Sequence, residues 1–337
     1  MIIFSDPMTR RGGGQVVLEE LLRRSAAQLH DIRLAMPAEG REQIAVPEEV
    51  RAADDVAGLL PITEDVSQPI VFVSTVTRGY PADLLEVRKL RRRGHQIISV
   101  AIMHNYPETP AKTVATKLFL RQFDFAIAVE PGLARLCKNA IIPPWLAPVS
   151  NDSEKTDGAS AFTGEVKSFA RPDPSKGLDL LARIYPRLEA AGLTCRVALG
   201  TALQDHVKYV SHLRSSLSPW LERSPRSASW INPGDLFLVP SIAGETTCLA
   251  AQEAILRGAF VITSRVGVLP YLSPELTSHV TTVTGDPNEM ADAALRAARL
   301  SPEDFARRVL RGQRMIAERS GEWYEYTISR LREWSRP

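Results

Sequence analysis

Short β-branched runs alternate with helical patterns along most of this chain, and that alternation restricts the fold more than any other feature. Ile2–Phe4, Ile32–Ala35, Ile70–Ser74, Ile97–Met103 and Phe125–Val129 read as strands, with Gln15–Gln28 and Ala82–Arg93 as helices between them. The order implies a parallel sheet with helices on both faces. Residues 36–69, rich in Pro, Glu and Asp, give no periodic signal. From Pro143 to Ser160 the pattern lapses into prolines and then a polar run, which reads as a linker. Alternation then resumes: a helix at Gly177–Ala191, a strand at Thr194–Leu199, a helix near Ala202–Leu217, a strand at Asp235–Val239, a helix up to Gly258 and a strand at Ala259–Thr263. A second α/β domain follows. The tail is helical from Pro302, with Trp323, Tyr324, Tyr326 and Trp334 offering an aromatic docking face.

The length of 337 residues suits two domains, each able to bury a core. A net charge of +2 makes no case for nucleic acid, so any charged partner must be recognised locally. Three widely spaced cysteines, Cys137, Cys195 and Cys248, fit a reducing compartment. No apolar run approaches the roughly 18 residues of a spanning helix, and Asp6-Pro7 follows Met1–Phe4 too soon for a signal peptide. The expectation is a cytoplasmic protein, with peripheral attachment to the inner membrane face left open.

The segment AGETTCLAAQEAILRG, Ala243 to Gly258, carries the sharpest chemical signal. A strand ends at Pro240-Ser241, a short loop holds Gly244-Glu245, Thr246 or Thr247 can cap, and a helix follows. Its N-terminus, with unpaired N–H groups and the positive dipole end, is suited to a diphosphate. Glu253 shares a helix face with Leu249 and Leu256 while alanines fill other sides, so the helix is expected to be buried nearly all round. A carboxylate there needs a partner, and ribose hydroxyls would serve. Eight residues of helix rise roughly 12 Å, enough for Glu245 and Glu253 to contact opposite ends of a nucleotide sugar.

Three further segments fit the same chemistry. In ARPDPSKGLDLL, Arg171 and Lys176 could grip phosphates. In SDPMTRRGGGQVV, Gly12, Gly13 and Gly14 between a strand and a helix allow close backbone approach to a phosphate or sugar. The strand Ile97–Met103 ends in His104-Asn105-Tyr106-Pro107. Together these motifs, with Val266-Gly267-Val268-Leu269-Pro270, resemble the family 4 retaining glycosyltransferases of GT-B fold.

That resemblance implies two Rossmann-like doubly wound α/β domains facing across a cleft. An acceptor-side domain would span residues 1–150 plus a crossover helix at about 320–337, and a nucleotide-sugar-binding domain residues 151–319. It implies a retaining transferase that moves a hexose-type sugar from a UDP- or GDP-sugar to a lipid-linked, glycan or small-molecule acceptor. Glu253 would meet the ribose, Arg171, Lys176 and the Thr247, Cys248 and Leu249 segment the diphosphate, and Glu245 with His104 the sugar. Gly13 and Gly14 would line the acceptor entrance. With no Asp-x-Asp in the chain, a metal is not expected, and no cofactor beyond the donor.

The sequence departs from the family at Ala170 before Arg171, leaving Lys167 as a rival for the arginine's role. It departs again at Thr246-Thr247-Cys248, where the family often has Gly-Phe-Gly, and at Tyr271, which follows Pro270 where the family has Glu. A sugar-nucleotide epimerase, a phosphorylase or a catalytically silent binding or scaffold protein on the same fold are the alternatives. Finally, EVRKLRRRGH, residues 86–95, is either a solvated helix face or a site for anionic lipid head groups.

Overall fold

The computed structural model describes residues 1–9, 13–60, 68–75, 79–104, 107, 109–141, 144, 146–147, 161–200, 206–222, 230–243, 245–269, 281–283 and 285–336. Gly12, Gly244, Asn105, Tyr106, Pro270, Tyr271 and most of the expected linker lie outside them. Two compact units emerge, one comprising Met1–Leu146 with Glu322–Pro337, the other Ala147–Gly321.

The first unit is built on a parallel sheet of seven strands: β1 (Ile2–Ser5), β2 (Ile32–Ala35), β3 (Arg51–Ala53), β4 (Ile70–Ser74), β5 (Ile97–Met103), β6 (Phe125–Ala128) and β7 (Ala140–Ile141), in the order β3-β2-β1-β4-β5-β6-β7. β1 pairs with both β2 and β4, placing Ile2 beside Ile32 and Val71. Every residue of β1, β2 and β4 is buried, as expected of a parallel sheet covered on both faces, and Arg33 in β2 is held there by Asp31 and the Leu59 carbonyl.

Residues 36–60 gave no periodicity because their elements are too short to show one: a single helical turn at Ala38–Arg41, the three-residue β3, and a turn at Val56–Leu59 capped by Asp55. The helix Pro110–Leu120, absent from the sequence reading, is announced by Thr109-Pro110. The threonine hydroxyl accepts the Lys112 N–H at 3.2 Å and proline occupies the first turn, where no N–H is needed. The final helix, Glu322–Trp334, belongs to this unit. Its Trp323 is fully buried and donates its indole N–H to the Ala128 carbonyl at 2.9 Å, and Trp334 stacks on Phe125 with ring centroids 4.5 Å apart.

The second unit holds a five-stranded parallel sheet: β8 (Glu165–Ala170), β9 (Thr194–Leu199), β10 (Leu236–Val239), β11 (Phe260–Ser264) and β12 (Thr281–Val283), ordered β12-β11-β10-β8-β9. Its core interleaves Val166, Val197, Leu236 and Phe260 from the strands with Leu181, Ile184 and Leu188 from the helix Leu181–Glu189. The helix expected over Gly177–Ala191 instead starts with two 3-10 turns, Pro174–Lys176 and Leu178–Leu180, hinged at left-handed Gly177.

Candidate active site

In the second sheet the strand order reverses between β8 and β10. Loops leaving the carboxyl ends of strands diverge at such a point and open a crevice for a ligand. The two loops concerned carry Arg171, Lys176 and Glu245.

Backbone geometry locks these loops together. Asp173 caps the Pro174–Lys176 turn, accepting from the Ser175 N–H at 2.9 Å and its hydroxyl at 2.7 Å. The turn ends at Gly177, φ 59°, where a Cβ would stand 2.2 Å from the Pro240 carbonyl oxygen, so only glycine lets it lie against the end of β10. The Ser175 carbonyl then accepts the N–H groups of Ile242 and Ala243 at 2.8 and 3.2 Å. From the loop after β11, the Val268 N–H donates to the Glu245 carbonyl at 2.9 Å.

Glu245 is therefore where three loops meet, and it is buried. The Lys176 ammonium donates to its Oε1 at 2.8 Å, across 69 residues of sequence, and the Ser241 hydroxyl donates to the same oxygen. The Ser264 hydroxyl in turn donates to the Ser241 carbonyl. A carboxylate this buried is tolerated because it is paired and hydrogen-bonded. Ser241 and Ser264 had no role in the sequence reading. Pro-Ser at a strand end was visible, but nothing in the pattern said which way the hydroxyl would face.

Arg171 follows the last residue of β8. One terminal nitrogen reaches Asp173 at 3.2 Å, while Nε is buried with no hydrogen-bond partner among the described residues. Burial raises the Asp173 carboxyl, but the Ser175 hydrogen bonds and the charges of Arg171 and His206 outweigh it and hold the group below its usual range. Lys167 is ruled out as the arginine's rival. It is 3% exposed and sunk against Asp235 at 2.7 Å, Glu165 at 2.8 Å and the Trp230 carbonyl at 2.9 Å. Its polar neighbours satisfy it inside the fold, so the extra polarity of that strand is structural.

The helix Leu249–Leu256 begins at Cys248 without a side-chain cap. Neither threonine fills that role; the Thr247 carbonyl instead accepts the Gln252 amide at 2.7 Å. Among the described residues no side-chain oxygen caps this end of the helix, an arrangement that favours an anion. Cys248 itself has φ 47° and ψ 58°, the left-handed region where the family often has glycine. Burial, with the Glu245 charge adding, pushes its thiol well above the ordinary range, so it stays protonated. The strain gives a direct expectation. Cys248→Gly should be about 1 kcal/mol more stable than Cys248→Ala in urea unfolding, because only the former is at ease at positive φ. Equal stabilities would contradict the left-handed geometry.

Glu253 corrects another expectation. The helix is not buried all round: Leu249, Ala250, Glu253 and Leu256 are only partly covered, while Ala251, Gln252, Ala254 and Ile255 form its buried face. Glu253 also has an interaction partner within the protein. The desolvation argument that singled it out therefore loses much of its force, although its side of the helix remains accessible.

In the first unit, the order reverses between β1 and β4, and buried polar groups gather at that point. Asp6 accepts from the Met8 N–H at 2.9 Å and the Thr75 hydroxyl at 2.9 Å. Asp83 accepts from the Ser5 hydroxyl at 2.7 Å and from the Ser74 hydroxyl. Gly13 and Gly14 open the helix Gly13–Gln28 nearby in sequence, with open space where a Cβ would stand. His104 directly follows β5. It is partly accessible, yet the protein crowding its ring lowers the imidazole to about 4, so it is neutral at pH 7.

Burial pushes Asp83 up to about 6, with the charges of Asp6 and Glu86 adding and the two hydroxyls opposing. A carboxyl raised in the folded state favours folding when protonated. Its contribution is complete below the unfolded value near 4 and is lost as pH rises through about 6. A shift of about two units corresponds to about 3 kcal/mol. Asp83→Asn should remove that slope between pH 4 and 7 in denaturation curves; an unchanged slope would assign it elsewhere.

Residues 163–299 match the family model described as Glycosyl transferases group 1. Anabaena Alr3699/HepE in complex with UDP-glucose is similar in structure with a TM-score of 0.71 at 13% identity, over 98% of this chain and 99% of that one. Sucrose-phosphate synthase from Thermosynechococcus elongatus gives 0.69 at 16% identity over 98% of both chains, and the trehalose-6-phosphate synthase OtsA 0.68 at 14% over 98% and 99%. No curated protein sequence matches the chain. The fold is GT-B and the protein is a glycosyltransferase. Its group 1 region is the stretch that contains Arg171, Lys176, Glu245 and the helix Leu249–Leu256.

Proposed function

We propose that the chain transfers a hexose-type sugar from a nucleotide-diphosphate sugar to an acceptor with retention of anomeric configuration. The Lys176–Glu245 pair at the order reversal of the second sheet carries this reading. It sets a cation for phosphate beside a carboxylate for sugar hydroxyls, in front of an uncapped helix. Arg171, Lys176 and the N–H groups of Cys248 and Leu249 hold the diphosphate and stabilise the charge that builds as it departs. Glu245 fixes the sugar, and Glu253, on the accessible side of its helix, meets the ribose.

Within the first unit, neutral His104 is assigned to hydrogen bonding with a sugar hydroxyl, and Gly13 and Gly14 to acceptor entry. The departing phosphate oxygen takes the acceptor proton, so the chemistry rests on positioning and leaving-group stabilisation and calls for no dedicated carboxylate base. The two fixed cations provide the neutralisation a metal would otherwise bring, and we propose no metal requirement. UDP-sugars lead the donor candidates, because the similar HepE structures contain UDP and UDP-glucose.

A thermal-shift panel of UDP, GDP, ADP and their sugars tests the reading. A ligand at 100 times its Kd stabilises the folded state by about 2.7 kcal/mol. UDP or a UDP-sugar should raise Tm, and NMR of the transferred product should show the donor's anomeric configuration. A panel in which no nucleotide or nucleotide sugar moves Tm would end the proposal.

A further inference from the structure

Charge and exposed apolar surface coincide on one face of the first unit. The helices Tyr80–Arg92 and Pro110–Leu120 follow the adjacent parallel strands β4 and β5, so right-handed crossovers set them side by side on one face and pointing the same way. Arg88 donates to the Gln122 side-chain oxygen at 2.6 Å, and Arg91 to Asp124 at 2.6 Å, which ties the two segments together. One helical turn before those contacts stand Leu85 on the first helix and Leu118 on the second. They are 55% and 53% exposed, and Val114, a further turn back, is 59% exposed. Three of the seven exposed large apolar side chains among the described residues therefore share this face.

Around them the charge is one-sided. Residues 80–93 and 110–121 hold eight lysines and arginines against two carboxylates, Asp83 and Glu86, in a chain whose net charge is only +2. Asp83 is buried and Glu86 is paired with Lys89 at 2.6 Å. Arg92, Arg93, Lys117 and Arg121 are exposed and make no ion pair among the described residues. The helix Pro110–Leu120 carries no acidic residue at all.

The geometry points to an anionic lipid surface as the partner of this face: we propose that Leu85, Val114 and Leu118 enter the head-group boundary while the surrounding cations contact acidic lipids. A protein partner would need a matching acidic rim around an apolar socket. A lipid surface supplies negative charge and hydrocarbon together over any contour, and the mixture of short apolar tips with long cationic side chains matches interfacial binding. Each Lys or Arg near such a surface contributes about 1 kcal/mol. No helix among the described residues is long and apolar enough to cross a membrane, so attachment of this kind lies on the surface. The basic run at residues 86–95 is only half of the site, and Lys89 and Arg91 within it are engaged locally. The proposal rests on the first unit alone and stands whether or not the second binds a nucleotide sugar.

Co-sedimentation of the full chain with sucrose-loaded phosphatidylcholine vesicles, with and without phosphatidylglycerol, tests it at low and at physiological ionic strength. The wild type should pellet with the anionic vesicles only, and less as salt rises. Arg92→Ser/Arg93→Ser should weaken binding by about thirtyfold, the equivalent of two surface cations. Leu118→Glu should weaken it at least as much, with Tm in either variant unchanged because the side chains are exposed. Absence of binding to anionic vesicles, equal binding to neutral ones, or full binding by Leu118→Glu would each overturn the proposal. So would a wild-type dimer that Leu118→Glu dissociates without lipid, since the face would then belong to a second copy.

Discussion

Lys176→Met is expected to lower kcat for sugar transfer by about 10²–10³-fold, the scale on which removal of one donor to a developing oxyanion is felt. KM for the nucleotide sugar should move less, because the diphosphate gains charge on leaving and Lys176 meets that charge mainly in the transition state. The variant has a second effect that must be separated from the first. Without the ammonium, the buried Glu245 carboxylate keeps the Ser241 hydroxyl but loses its counter-charge. That costs about 2 kcal/mol of stability, less than for a fully enclosed pair because the lysine is 21% exposed. Lys176→Met/Glu245→Gln removes both charges and should recover most of the stability while recovering none of the rate. If the double variant regained wild-type kcat, the pair would be a structural clasp and the proposed role of Lys176 would fail. Unfolding curves and single-turnover transfer on the same preparations distinguish these outcomes.

The fold was legible in the sequence along Ile32–Ala35, Ile70–Ser74, Ile97–Met103 and Thr194–Leu199, which have the bounds their pattern suggested; the first three are interior strands buried nearly throughout, and the last is an edge strand with a half-covered face. The Pro110–Leu120 helix was missed because Val114 and Leu118 stand among lysines on its exposed face while Thr116 is buried, so the usual contrast of polar and apolar sides is blurred. Its cap, Thr109-Pro110, was the better signal. The candidate site was legible as motifs but not as contacts. Arg171, Lys176 and Glu245 stood out by spacing, whereas the bond from Ser241 to Glu245 and the burial of Lys167 against Asp235 depend on side-chain direction at strand ends. Glu253 shows the opposite failure. Helical spacing placed it among apolar neighbours, but two of those neighbours, Leu249 and Leu256, lie on the half-covered side. Spacing alone reports which residues share a face and leaves open whether that face is buried.

Gly267→Ala should have the largest combined effect on stability and rate of any alanine placed at a glycine whose surroundings are described. Two costs arise at once. The residue has φ 54°, which an alanine adopts at a penalty of about 1 kcal/mol. Its Cβ would also stand 1.9 Å from the Glu245 carbonyl oxygen, 2.8 Å from that carbonyl carbon and 3.0 Å from the Glu245 nitrogen. All three are backbone atoms, so no rotamer change can make room, and either the turn or the Glu245 segment has to move by about 1 Å or more. Movement of the turn breaks the bond from Val268 to the Glu245 carbonyl. Movement of Glu245 pulls its carboxylate away from Lys176 and Ser241. The expected loss is about 3 kcal/mol or more in unfolding free energy, with a drop of about 10²-fold in transfer rate from misplacement of the carboxylate. Gly285→Ala is the matched control: nothing lies within 4 Å of its added methyl, so its stability should stay within about 0.5 kcal/mol of wild type. A Gly267→Ala protein with wild-type turnover would mean that Glu245 need not be held where the loop after β11 holds it, and the convergence of the three loops would lose its functional meaning.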